Sequence, residues 1–161
     1  MIKLYNRLNA IYYAKLWAYK RNPQYFNFDT LGGDCTNFVS QCIFAGCNVM
    51  NYTPTFGWYY RSISDRSPSW TGVNYLYNFL ISNTTIGPFG EKILQSELML
   101  GDIVQFGNSS TFYHSAIVVS LKNGIYLASH SLDSYMREIK TYSFEKIRYI
   151  HISGIRISTT M

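Results

Sequence analysis

Apolar residues recur at helical spacing in the first half of this chain and fall into short β-type runs in the second. Leu4, Leu8, Ile11, Tyr12 and Leu16 predict an amphipathic helix from residue 4 to about 20, ended by Asn22-Pro23. A loop over 24–33 carries Tyr25, Phe26 and Phe28. Asp34 is a good N-cap, and a second helix runs from Cys35 to Ala45 and stops at Gly46. Cys35, Phe38, Val39 and Cys42 share one face of it. Residues 48–70 are irregular and aromatic, and Val73, Leu76 and Leu80 mark a third helix over about 72–82. Then come strands at 102–107 and 114–120, a turn at Lys122-Asn123-Gly124 into a strand over 124–131, and a last strand from about 148 to 157. Helices first and antiparallel strands after predict an α+β fold, with N-terminal helices packed on a C-terminal antiparallel β-sheet. With no repeat, low-complexity tract or linker, residues 1–161 read as one domain.

Composition narrows the function classes. Only 14% of the residues are charged, against roughly 25% in an average globular chain, and 47% are hydrophobic, which excludes disorder. The net charge of +5 comes from scattered Lys and Arg, so no nucleic-acid patch forms. A modest positive surface suits an anionic polymer such as a bacterial wall. Cys35, Cys42 and Cys47 are odd in number and do not have zinc-site spacing, so neither a disulfide framework nor a zinc site is expected. No apolar stretch reaches spanning length, and the first residues lack a signal-peptide core. The expectation is a cytoplasmic chain, or a domain cut from a longer exported protein, with no cofactor. The sequence leaves its oligomeric state open.

The chemistry concentrates in Asp34-Cys35-Thr36-Asn37-Phe38-Val39-Ser40-Gln41, which follows Leu31-Gly32-Gly33. A cysteine in the first turn of a helix meets free N–H groups and the positive dipole end, and both favour a thiolate and an oxyanion. His114 opens one strand and His130 nearly closes the next, so a hairpin turning at Asn123-Gly124 brings both to its open end. In this reading Cys35 is the nucleophile, His114 the base and His130 the orienter, with Asp133 in reserve for the third position. A metal site from Cys35, His114 and His130 is the weaker alternative, since no fourth ligand is evident. His151, mid-strand, reads as structural. Trp58, Tyr59 and Tyr60 are consecutive, so no regular element buries all three on one face. At least one of them or Trp70 is expected to line the groove leading to Cys35.

These residues carry a resemblance. The chain resembles the bacterial "putative amidase domain" family, a branch of the papain-like cysteine amidases related to the CHAP and NlpC-type cell-wall hydrolases. The matching positions are Tyr5-Asn6-Arg7, Ala10, Tyr13-Ala14, Asn22-Pro23-Gln24-Tyr25 and Phe28, then Gly33 and the octapeptide, Ala45-Gly46, Gly101-Asp102-Ile103-Val104-Gln105, His114 with Ile117-Val118, and His130. The resemblance implies a papain-like fold and amide-bond hydrolysis of a peptide or peptidoglycan substrate. It implies Cys35 as nucleophile, His114 as base, His130 on the strand of the third polar residue, and Tyr25 beside the oxyanion. The chain departs from the pattern at Cys47, where the family tends to have a second glycine. Two alternatives stay open: a cysteine acyltransferase or toxin effector on the same scaffold, and a non-catalytic wall-binding domain.

Overall fold

The alternating segment around residues 103–120 lies at the centre of the sheet. The computed structural model describes residues 1–159. Strands β1 (Ile2–Lys3), β4 (Gly87–Ile93), β5 (Ile103–Gly107), β6 (Phe112–Ser120), β7 (Tyr126–Ser129), β8 (Ser134–Glu138) and β9 (Lys146–Arg156) form one antiparallel sheet. Its order is β1-β9-β5-β6-β7-β8, and β4 also pairs with β9. A two-stranded ribbon, β2 (Tyr60–Ser62) and β3 (Asp65–Arg66), stands apart. Helices α1 (Arg7–Trp17), α2 (Cys35–Cys47), α3 (Pro68–Thr71) and α4 (Val73–Ser82) complete an α+β architecture.

Strand alternation divides the apolar residues between two sheet faces. Ile103, Ile117, Val119, Ala128 and Ile150 join Phe38, Val39, Cys42 and Ile43 of α2 in the larger core. Val104, Phe106, Ala116, Val118 and Leu127 point the other way, into a smaller cluster with Leu98 and Ile139. The β6–β7 hairpin turns where Asn123-Gly124 predicts, and Asn123 takes φ 60°.

Three expectations need correction. The stripe of Leu4, Leu8, Tyr12 and Leu16 is not the buried face: Leu4 is 93% and Leu8 68% exposed, while Ala10, Ala14 and Ala18 are fully buried. Alanine also recurs at helical spacing, and its small side chain lets α1 lie close against α2, which larger side chains would prevent. The helix begins later than expected, at Arg7, because the Asn6 side chain accepts from Asn9 N–H at 3.0 Å and caps it. Gly46 does not stop α2, which runs on to Cys47 and ends at Asn48 with φ 55°. Strands β1, β2, β3, β4 and β8 and the short helix α3 are absent from the sequence reading. β4 contains two glycines and a proline and β8 has no β-branched residue, so their pairing is set by the neighbours β9 and β7 rather than by their own propensity.

A polar clasp fastens the start of the chain to the sheet. Asp102 is fully buried; its Oδ1 accepts from Arg7 Nη1 at 2.7 Å and Ile152 N–H at 3.1 Å, and its Oδ2 from Met99 N–H at 2.9 Å. His151 Nδ1 lies 2.9 Å from the same carboxylate, which gives that histidine a structural partner. Arg7 also donates to the carbonyls of Leu100 and Ile152, and Tyr5 to that of Gly101. The Tyr5-Asn6-Arg7 and Gly101-Asp102 motifs are therefore two halves of one clasp.

Gly46 sits where this clasp meets α2. A Cβ there would stand 2.3 Å from Tyr5 Cε2 and 2.8 Å from the Asn6 carbonyl oxygen. Gly46→Ala is expected to destabilise the protein by roughly 1–3 kcal/mol through overpacking, read as a lower denaturation midpoint at an unchanged m-value.

Candidate active site

The cysteine is presented by backbone that only glycine adopts easily. Gly32 and Gly33 take φ values of 86° and 97°, and the chain then turns into α2 at Asp34. Asp34 makes no side-chain cap bond to the helix backbone. Its buried carboxylate instead accepts from Phe28 N–H at 2.8 Å and Asn37 Nδ2 at 2.9 Å, and faces His130 Nδ1 at 2.5 Å. The first turn of α2 thereby keeps its amide groups for the Cys35 sulfur and what that sulfur meets.

Cys35 and His114 line one cavity of about 520 Å³. Gly32, Gly33 and the loop residues Ser131 and Leu132 form one side, and Phe106, Tyr113, Arg137 and Tyr142 another. The sulfur lies 3.8 Å from Thr36 Oγ1, which in turn meets the side chain of Ser115, the residue after His114, at 3.0 Å. His114 lies beside a stacked pair of rings, Phe106 and Tyr142, which are 4.6 Å apart; its centroid is 6.0 Å from each. Ser131 and Leu132 have consecutive positive φ values, 62° and 75°, the signature of a primed hairpin turn, here at the cavity wall.

The electrostatics describe a neutral pair. Burial pushes the Cys35 thiol up, opposed by hydrogen bonds from the Ser115 backbone, the Thr36 hydroxyl and the Thr36 backbone. Burial, helped by the Arg137 charge, lowers His114 to about 4. The helix-start setting suggested a ready-made thiolate; desolvation outweighs it. Burial pushes Cys42 further up and Cys47 up to about 12, and neither lines the cavity.

His130 does not face His114. In the β6–β7 register Ile117 pairs with Ala128 and Val118 with Leu127, so His114 shares a sheet face with Leu127 and Ser129, and His130 goes with the opposite set. Its ring stacks on Phe38 of α2 at 4.0 Å. Its Nδ1 faces the Asp34 carboxylate at 2.5 Å and its Nε2 the Trp17 carbonyl oxygen at 2.8 Å. Both partners are hydrogen-bond acceptors, which ties the ring to α2 and to the end of α1 at once. Asp133 is held by Arg21 at 2.9 Å. Among the described residues no group of three His, Cys, Asp or Glu is gathered as a metal site requires.

The remaining polar residues of the octapeptide hold α2 in place. Thr36 Oγ1 meets Ser115 Oγ at 3.0 Å, Asn37 accepts from Trp70 Nε1 at 3.0 Å, and Ser40 accepts from Trp58 Nε1 at 3.1 Å. Gln41 accepts from Tyr13 at 2.6 Å. Trp58 and Trp70 are thus fully buried partners of α2, and neither they nor Tyr59 nor Tyr60 lines the cavity, contrary to expectation. Tyr25 stacks on Trp70 and packs against Tyr60 instead of standing beside the sulfur. The aromatics that do line it, Phe106, Tyr113 and Tyr142, come from the sheet half. Phe106 could have been found from strand pairing, since it is His114's partner in register. Arg137 carried no signal, because β8 itself was not legible.

The family model described as "putative amidase domain" matches residues 4–153. The chain belongs to that family. It is also 36% identical over 156 residues, 90% of its length, to a protein of Bacillus subtilis (strain 168) described as uncharacterized protein YhbB. The chain spans about half of that relative, 49% of its length. No solved structure matches the chain. Amide hydrolysis is what membership in this family suggests, and no helix among the described residues is long and apolar enough to cross a membrane.

Two measurements check this amidase-domain site. Iodoacetamide is expected to label Cys35 before Cys42 and Cys47, with a rate that still climbs above pH 9, as a buried neutral thiol requires. A plateau already reached at neutral pH would show a thiolate instead. His130→Ala removes the nearest side-chain partner of the buried Asp34 carboxylate and leaves a cavity beside Phe38, and is expected to cost roughly 3–5 kcal/mol in chemical denaturation.

Proposed function

We propose that this protein is a cysteine amidase of papain-like design, with Cys35 as nucleophile and His114 as base. The observation that supports it most is that a helix-borne cysteine and a strand-borne histidine open into one cavity. Cys35 Sγ attacks the amide carbonyl carbon while His114 takes the thiol proton. Burial disfavours either charge alone, but transfer creates the two side by side, where each offsets the other's desolvation. Backbone N–H groups at the start of α2 hold the oxyanion. Collapse breaks the C–N bond, and His114 returns its proton to the leaving amine. A water molecule then attacks the thioester, giving its proton to His114 and releasing acid and thiol.

Orientation of His114 falls to the side of the Phe106–Tyr142 stack rather than to a third polar residue. His130 acts at one remove, as a positioning residue that holds Asp34 and through it the start of α2. Cell-wall peptides are the substrate class we favour, on the family resemblance; the buried tryptophans lend it no support.

Digestion of purified peptidoglycan, read by mass spectrometry of released fragments, is expected to yield new amine and carboxylate ends. Cys35→Ala should abolish release, and His114→Ala should lower it by about 10²–10⁴-fold. Because the base must be neutral, the acid limb of kcat/KM should fall near pH 4 rather than near 6.5. The same depression makes His114 favour folding fully above pH 6.5 and progressively less as pH falls towards 4. Full activity in Cys35→Ala would overturn the proposal.

A further inference from the structure

The geometry points to Arg137 as the residue that reads the substrate, by binding a carboxylate set within about one residue's length of the scissile amide. This rests on the amidase reading of the same cavity and adds to it the chemical class of what enters. Arg137 lies on β8, an edge strand of the sheet, and its side chain lines the cavity that holds Cys35 and His114. The guanidinium carbon stands 3.9 Å over the Tyr142 ring, and that ring packs against the imidazole. The cation and the imidazole therefore share one aromatic neighbour.

The fork is positioned but not consumed. Arg137 Nε donates to Thr141 Oγ1 at 2.9 Å and Nη2 to the Thr141 carbonyl at 2.8 Å. Of five donors, those two are used, and no carboxylate of the described residues pairs with it. The cavity lining contains no Asp or Glu at all, while Ser129, Ser131, Ser143 and the Tyr113 and Tyr142 rings supply neutral polar and aromatic surface around the charge. A planar, always-charged fork clamped by a backbone carbonyl and stacked on a ring suits bidentate recognition of a carboxylate. A cavity of about 520 Å³ holds an amide and one flanking residue together.

Its position so close to the base also makes the choice of ligand selective. A cationic substrate group placed there would meet Arg137 at short range, and a neutral one would leave the free donors to water. The expectation is a preference by charge, strongest at one spacing between carboxylate and reacting carbon.

Bromoacetyl-glycine, bromoacetyl-β-alanine and bromoacetyl-4-aminobutyrate, each beside its carboxamide twin, test this. The readout is the second-order rate of Cys35 alkylation, by mass spectrometry, with each acid-to-carboxamide ratio divided by that for glutathione. At least one spacing should favour the acid by about tenfold. Arg137→Gln should return the acid-to-carboxamide ratio to that of glutathione, and Arg137→Lys should keep part of the preference. Equal rates for acid and carboxamide at every spacing, or a preference that survives Arg137→Gln, would overturn the inference. The second arm does not need a reactive thiol: N-acetyl-glycine, N-acetyl-β-alanine and N-acetyl-4-aminobutyrate are titrated into Cys35→Ala protein, followed by NMR at Tyr142. Saturable shifts that vanish in Arg137→Gln support the carboxylate site, and absence of saturation overturns it. A Cys35 inert to all six reagents, with saturable binding in the second arm, would instead sink the nucleophile and leave the carboxylate site standing.

Discussion

The buried carboxylate of Asp34 is the constraint on which the arrangement depends. A charge with no water around it must be met by donors, and the chain supplies them from three separate segments. Phe28 N–H comes from the loop before the cysteine, Asn37 Nδ2 from α2 itself, and His130 from the end of β7. Asp34 N–H in turn donates to Ser131 Oγ, and His130 reaches on to the Trp17 carbonyl at the end of α1. One residue thus fixes α1, the glycine pair, the cysteine helix and the β7–β8 turn relative to one another. Cys35 is its immediate neighbour, so the sulfur's position follows from where the carboxylate is satisfied.

The same economy governs the rest of α2. A polar side chain inside a core is tolerated only when bonded, and Thr36, Asn37, Ser40 and Gln41 each find a partner on a different element. Two of those partners are indole N–H groups, which explains why the tryptophans turn inward. Their bulk fills the space between α2 and the segment after it, and their one polar atom needs the helix. The site then opens on the opposite side, toward the sheet. There Phe106 and Tyr142 hold the base, and Arg137 places a positive charge beside it.

Burial gives the site its electrical character. An exposed helix-start cysteine would be drawn toward thiolate by the helix dipole, but Cys35 is enclosed, and desolvation carries it the other way. His114 is shifted in the complementary sense, so burial disfavours the charged form of each. Loop residues Ser131 and Leu132, held at positive φ on the wall, place backbone strain at the same spot.

Much of this was legible in the residues alone. The order of helices and strands, the Asn123-Gly124 hairpin and the cysteine at a helix start behind two glycines all follow from local rules, because capping, turn chemistry and periodicity act over a few neighbouring residues. The meeting of Cys35 with His114 was reachable too, since it needs only a helix packed on that sheet. Which apolar stripe of α1 is buried was not, because leucine and alanine stripes share one period and only the closeness of α2 selects the smaller. The face taken by His130 depends on register, where a shift of one residue carries a side chain through the sheet. Arg137 sits on a strand with no β-branched residue, formed because β7 offers it an edge. Tertiary structure decided these points, because each is a contact between segments distant in sequence, settled by packing and by the need to satisfy buried charge.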